Sequence, residues 1–364
     1  MVVFAGHAMT AKLRGQSKTV TYVIRASQAF LRESLAAMKR SARGAGSLLR
    51  AVGCAGITGV VLTAFFDVQA QEATSIVAES NAIDLLMPRE IIIGGFSAPP
   101  STVPGAPPGG QFVKFLFPSA LAANGPDIYL ADAGQRLLLR IDGVTRSVTR
   151  LRELPGSPGT RLKTGPDGSV YVVSPGRREV ERIARDGRRL AVFGAKFEIL
   201  QPADVVVEQT LNRVWIADAA GGVFAFHPSG RLSEPLAGRG DGFADENSGA
   251  TVLSAGRERV AGIDPRCRCI VEFSQSGVAI GRYGEGQLTY PVDLAIDLHG
   301  RTWVLDRADH RLKVFANGNL IASISTAQLG LTDITALAFD GHLAYIADGP
   351  GGRVGVFTIL QPRR

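Results

Sequence analysis

The chain has 364 residues, of which 45% are hydrophobic and 20% charged, with a formal net charge of +7. The excess is local, because residues 1–70 hold nine Lys/Arg against two Asp/Glu and leave 31 basic and 31 acidic residues in the remainder. That balance excludes nucleic-acid binding argued from global charge, and no nucleic-acid partner is expected.

From Met38 the chain reads MKRSARGAGSLLR, then a largely apolar run from Ala51 to Phe66, then Val68-Gln69-Ala70 ahead of Gln71-Glu72. Basic, apolar and small residues in that order describe a secretory signal peptide, with Met38 as the expected initiator and cleavage expected after Ala70. An uncleaved anchor is the alternative, although about 16 apolar residues fall short of the roughly 20 of a helical span. Lipidation at Cys54 is disfavoured because Arg50 interrupts the apolar run ahead of it. The expected organisation is a leader over 1–70, a linker over 71–88 and a folded region over 89–364. Its expected location is periplasmic or secreted, with membrane contact only through the leader if that stays attached.

The folded region opens with Arg89–Phe96, REIIIGGF, followed by the proline-stiffened connector Ser97–Gly110, SAPPSTVPGAPPGG. Beyond it a unit of about 42 residues recurs six times, with anchor positions at Asp132, Ser174, Asp218, Asp264, Asp306 and Asp348. The anchors are separated by 42, 44, 46, 42 and 42 residues. Each unit carries a short apolar strand, a Gly-containing turn, an aromatic-led strand ending at the anchor, a tight hairpin and a third strand. A more polar fourth strand follows, as in Arg188–Phe193 and Val278–Tyr283. Four short antiparallel strands per repeat predict an all-β, six-bladed β-propeller. The anchor carboxylate is expected to accept backbone N–H groups from the hairpin after it. The sixth unit stops soon after its third strand, so Arg89–Phe96 is expected to supply the fourth and close the ring.

The fifth unit, Pro291-Val-Asp-Leu-Ala-Ile-Asp through Asp306-Arg-Ala-Asp-His-Arg-Leu-Lys-Val-Phe315, resembles the NHL repeat, with His310, Arg311 and Leu312 at the positions that name that family. GRYGEGQLTYP, Gly281–Pro291, and GRGDGFADENSGA, Gly238–Ala250, resemble its inter-blade connectors. The resemblance is strongest in the fifth unit and degraded in the second, where Ser174 replaces the anchor Asp, and the fourth, where Cys267 and Cys269 occupy the hairpin. It implies a propeller that binds through its rim, and family-position arginines such as Arg311 and Arg353 that brace neighbouring blades.

Counting back from the anchors places Ala120, Arg161, Asp204, Thr251, Asp293 and Thr335 at the channel mouth. The hairpins add Arg136, Arg177, Arg178, Arg266, Arg268, Arg307, His310, Arg311 and Arg353 to the same rim. Guanidinium forks match carboxylate and phosphate geometry, so the set reads either as a site for an anionic ligand or as the ordinary polar surface of exposed hairpins. Arg161, Asp204, Asp293, Thr335, Arg178, Arg268, Arg307 and His310 are the candidate ligand residues. Asp204 and Asp293 leave open a divalent cation in the channel, although Arg161 opposes it. Cys267 and Cys269 read as a disulfide or as two free thiols, with metal ligation disfavoured because no further Cys or nearby His completes a set.

No HExxH pair, GxSxG elbow or Walker loop is present, so no catalytic residue and no cofactor are assigned. The function expected is a binding or scaffold module, monomeric, whose rim meets a protein or other envelope component, a cell-wall glycan or an anionic ligand. The alternative is a metal-dependent hydrolase or lyase of lactonase type working at the channel mouth.

Overall fold

The computed structural model describes residues 85–98, 109–154, 159–194, 199–208, 210, 212–237 and 249–361, with backbone alone for 233–237. The expected leader, nearly all of the linker, most of Ser97–Gly110 and the greater part of Gly238–Ala250 lie outside these residues.

Six four-stranded antiparallel sheets form the described chain, with one small two-stranded ribbon, Gly94–Phe96 against Phe112–Lys114. The inner strands are Pro118–Asn124, Arg161–Thr164, Pro202–Glu208, Val252–Ala255, Pro291–Ile296 and Ile334–Asp340. Each touches the inner strand of the blade before and after it, and the sixth touches the first, so the ring is complete. The protein is a six-bladed β-propeller, and among the described residues no helix is long and apolar enough to cross a membrane.

Second and third strands are sandwiched between neighbouring blades and therefore read as nearly unbroken apolar runs. Val170–Ser174 (VYVVS) and Thr302–Asp306 (TWVLD) are buried at every position. Outer strands face water, as the mostly exposed Ala279–Tyr283 shows. The core is not one body but six clusters of buried side chains, each between two adjacent blades. Aromatic residues fill the wedges edge-on: Phe193 meets Phe226 at 5.7 Å, Trp215 meets Phe273 at 6.2 Å and Trp303 meets Phe339 at 5.6 Å between ring centres. Such pairs add about 1 kcal/mol each beyond the area they bury.

In the last blade, Leu343–Asp348 and Arg353–Ile359 carry Leu86–Ile92 as their outer neighbour, antiparallel to Arg353–Ile359. This strand begins three residues ahead of the expected Arg89, and its register shifts between Pro88 and Glu90. Gly94–Phe96 departs to pair with Phe112–Lys114 instead of extending it.

The anchors do more than fix the hairpin. Asp218 accepts from Ala220 N in the hairpin (2.9 Å), and also from Leu200 N (2.8 Å) and Gln201 N (2.9 Å) in the connector ahead of the inner strand. Asp132 takes Leu116 N, Phe117 N and Gln135 N in the same way, and Asp348 takes Thr332 N, Asp333 N and Gly351 N. Asp306 takes Thr289 N and Tyr290 N at 2.8 Å and receives Lys313 Nζ at 2.7 Å in place of a hairpin amide. Each carboxylate thus staples the inter-blade connector to its own blade. Arg311 and Arg353 make contacts of the same local kind: Arg311 reaches Ser323 within the fifth blade, and Arg353 joins Asp348 to the Gly330 carbonyl in the connector.

Four residues past every anchor the backbone turns to positive φ: Arg136 (58°), Arg178 (55°), Gly222 (108°), Arg268 (51°), His310 (53°) and Gly352 (59°). All six hairpins share this corner whatever residue occupies it.

Burial pushes the Asp306 carboxyl up, but the Lys313 ammonium and the amides of Thr289 and Tyr290 outweigh it and hold it below the usual carboxylate value. At Asp348 the Thr332 amide, the Arg353 guanidinium and the Asp333 amide likewise outweigh burial. A carboxyl whose folded pKa lies below its unfolded one contributes stability above the unfolded value, near 3.9, and loses it as pH falls towards the folded value. Unfolding free energy measured by urea titration is therefore expected to drop as pH falls below about 4, with a smaller drop in Asp306→Asn. At pH 7, Asp218→Ala is expected to cost about 3 kcal/mol by stranding three amides, whereas Ser174→Ala should cost under about 0.5 kcal/mol. Equal losses would remove the stapling role.

Candidate functional site

The channel mouth is set by the residue on each inner strand that pairs with the position before the anchor. These are Ala120, Arg161, Asp204, Val252, Asp293 and Ala336. Two positions counted back from the anchors, Thr251 and Thr335, stand one residue ahead of this register and line the channel mouth. A bulge between Ile334 and Ala336 puts Ala336 in register and leaves Thr335 as the extra residue. Thr251 likewise precedes the paired Val252. The Thr335 hydroxyl donates to the Pro118 carbonyl at 2.6 Å, which joins the sixth blade to the first.

Asp204 and Asp293 lie almost wholly buried on the third and fifth blades. Asp204 accepts from Val205 N at 2.8 Å and, across the blade boundary, from Leu253 N at 2.9 Å. Asp293 repeats the arrangement with Leu294 N at 3.0 Å and Leu337 N at 2.9 Å. Two cations from the second blade complete the set. Arg161 spans the channel to the opposite blade, placing one terminal nitrogen 3.2 Å from Asp293 Oδ1 and donating from the other to the Val292 carbonyl at 2.5 Å. Lys163 Nζ stands 3.8 Å from Asp204 Oδ2. Burial raises the Asp204 carboxyl above its ordinary value, with Lys163 and then Arg161 pulling it back.

Every oxygen of both carboxylates therefore has a backbone donor, and each carboxylate faces a cation. That donor set does not fit a divalent ion, which needs six or more oxygens free of competing positive charge. Among the described residues no cluster of three or more His, Cys, Asp or Glu has metal-binding geometry.

The Arg161 bridge divides the mouth into two cavities, both walled by Gly159, Arg161 and Val292. One, of about 480 Å³, has Arg136 and Arg307 beside the apolar Phe117 and Leu154. The other, of about 670 Å³, has Arg178, the exposed Tyr290 and several prolines. Among the described residues no carboxylate pairs with Arg136, Arg178 or Arg307. Of the remaining candidates, Arg268 lies exposed on the fourth hairpin and His310 Nδ1 stands 3.1 Å from Asp333, so His310 is engaged outside both cavities. Cys267 and Cys269 form a disulfide with Cα atoms 5.2 Å apart.

Lys163, Phe117 and Tyr290 escaped the sequence reading. Lys163 carried a usable signal, since it stands two residues after Arg161 and side chains two apart on a strand share a face.

No protein-family model matches the chain, and no curated protein matches it in sequence. Solved structures do match in fold. A virginiamycin B lyase from Staphylococcus aureus superposes with a TM-score of 0.51 at 12% identity, covering 67% of this chain and 96% of its own. A gluconolactonase from Xanthomonas campestris gives 0.52 at 16% identity, covering 75% and 97%. A protein of unknown function from Bacteroides thetaiotaomicron gives 0.51 at 13%, covering 74% and 75%. At these identities the likeness is one of fold.

Removing the bridge tests whether it partitions the mouth. Arg161→Ala is expected to cost about 3 kcal/mol because it strands the buried Asp293 charge. A double-mutant cycle with Asp293→Asn, followed by urea unfolding, should return a coupling of about 1–2 kcal/mol. Coupling near zero would mean that the two side chains are merely adjacent.

Proposed function

We propose that the protein is an exported binding module of NHL type whose channel mouth captures an anionic ligand bearing a carboxylate or phosphate group. The observation that carries this is the residue choice at the positive-φ hairpin corners. Glycine takes that corner without strain and does so at Gly222 and Gly352, yet three blades place arginine there, at Arg136, Arg178 and Arg268. A non-glycine residue in this conformation costs on the order of 1 kcal/mol, so ordinary surface polarity does not account for the choice.

The corner geometry raises two of these guanidinium groups over the cavities, where Arg307 and Arg161 join them. Apolar Phe117, Leu154 and Val292 then suit the body of a small organic anion better than a bare ion. The His310-Arg311-Leu312 run supports the NHL reading, and the leader-like segment together with the disulfide supports export. The lyase and gluconolactonase that share the fold leave the alternative of catalysis at the same mouth, but the engaged carboxylates supply no free general base there.

Citrate and inorganic phosphate are the probes. Both are expected to raise the melting temperature at low salt and to lose most of the effect at about 0.3 M NaCl, where the screening length falls well below 10 Å. Arg136→Gly should weaken citrate binding about tenfold while raising stability by up to about 1 kcal/mol, since it relieves the backbone as it removes the charge. Unchanged citrate binding in Arg136→Gly and Arg307→Ala would sink the proposal. Stoichiometric divalent metal in the purified protein would favour the catalytic alternative.

A further inference from the structure

The Cys267–Cys269 disulfide sits on the hairpin between Arg259–Asp264 and Cys269–Ser274, directly after the fourth anchor. As a staple it has little to do. It encloses only Arg268, and the constraint a crosslink places on the unfolded chain shrinks with the loop it closes. The other five hairpins adopt the same positive-φ corner with no crosslink. The turn therefore does not depend on the bond.

Its surroundings favour chemistry instead. Cys267 is half-buried at the rim, whereas Cys269 is fully buried in the cluster between the third and fourth blades. Only one sulfur can be approached from solvent. Two guanidinium groups flank it in sequence: Arg266, which lies against Asp264 with its Nε 3.2 Å from Oδ1, and the exposed Arg268. Neighbouring cations stabilise thiolates, and a stabilised thiolate leaves faster, so they favour the exchange in which Cys267 is the leaving sulfur. Pro265, two residues before Cys267, lines the 670 Å³ cavity.

We propose that Cys267–Cys269 is a redox-active disulfide that oxidises external thiols. A substrate thiolate attacks Cys267 Sγ, the Cys267–Cys269 bond breaks, and Cys269 leaves as a thiolate and takes up a proton. A second substrate thiolate then attacks the substrate sulfur of the mixed disulfide and releases Cys267, which is protonated in turn. Two thiols become one disulfide, and the protein pair gains two electrons and two protons.

The test uses the full chain carrying Cys54→Ser, so that only this pair titrates, equilibrated across reduced and oxidised glutathione mixtures and quenched by alkylation. Mass spectrometry should show the pair cycling reversibly while circular dichroism stays native. The reduced form and the Cys267→Ala/Cys269→Ala variant should both melt within about 3 °C of the oxidised protein. Cys269→Ser should form a glutathione adduct at Cys267 at least about tenfold faster than Cys267→Ser forms one at Cys269. Reduction only on unfolding, a melting loss above about 10 °C in either form, or equal adduct rates would overturn the proposal.

Discussion

A carboxylate at the end of the second strand, in five of six blades, holds two parts of the chain that would otherwise be independent. It collects amides from the connector that enters its blade and, in most blades, one from the hairpin that follows it. A propeller has no continuous core to fix these loops, because its buried side chains fall into six separate inter-blade clusters. Rim geometry is therefore an electrostatic problem, solved once per repeat by a charge-assisted set of hydrogen bonds. Where Ser174 breaks the pattern, the hairpin becomes a short 3-10 turn over Pro175–Arg177.

The second blade is also the one that supplies both channel cations. Arg161 and Lys163 alternate along one strand and meet acids from the fifth and third blades, so two positive and two negative charges balance inside the ring. The bridge from Arg161 to Val292 and Asp293 occupies the channel and leaves two basins, where Arg136, Arg178 and Arg307 have no carboxylate partner among the described residues. The ligand-facing charge and the structural charge are thereby separated: the inner quartet is internally compensated, and these three guanidinium groups are not.

The repeat, the blade count and the anchor type were legible because a carboxylate recurring at near-constant spacing is a residue-specific signal. The connector half of the anchor's role was not, since its partners are backbone amides such as Leu200 N and Tyr290 N, whose side chains differ from blade to blade. Thr335, counted to the channel mouth, lines it as the extra residue of a bulge one position ahead of the paired Ala336, a detail that spacing alone does not carry. The cross-channel contact was hidden by topology: Arg161 and Val292 lie 131 residues apart, on opposite blades. The hairpin corners were obscured because arginine and histidine stand at positions whose usual sequence mark is glycine.

Amide hydrogen exchange across the connectors tests the central claim most directly. Leu116, Phe117, Leu200 and Tyr290 are exposed side chains on loop segments, where unsupported amides exchange freely. If the anchor carboxylates hold the rim, these four amides will be protected to within about tenfold of the second strands, and Asp306→Asn will release Tyr290 while sparing Leu200. Exchange of all four at unprotected rates would contradict the account.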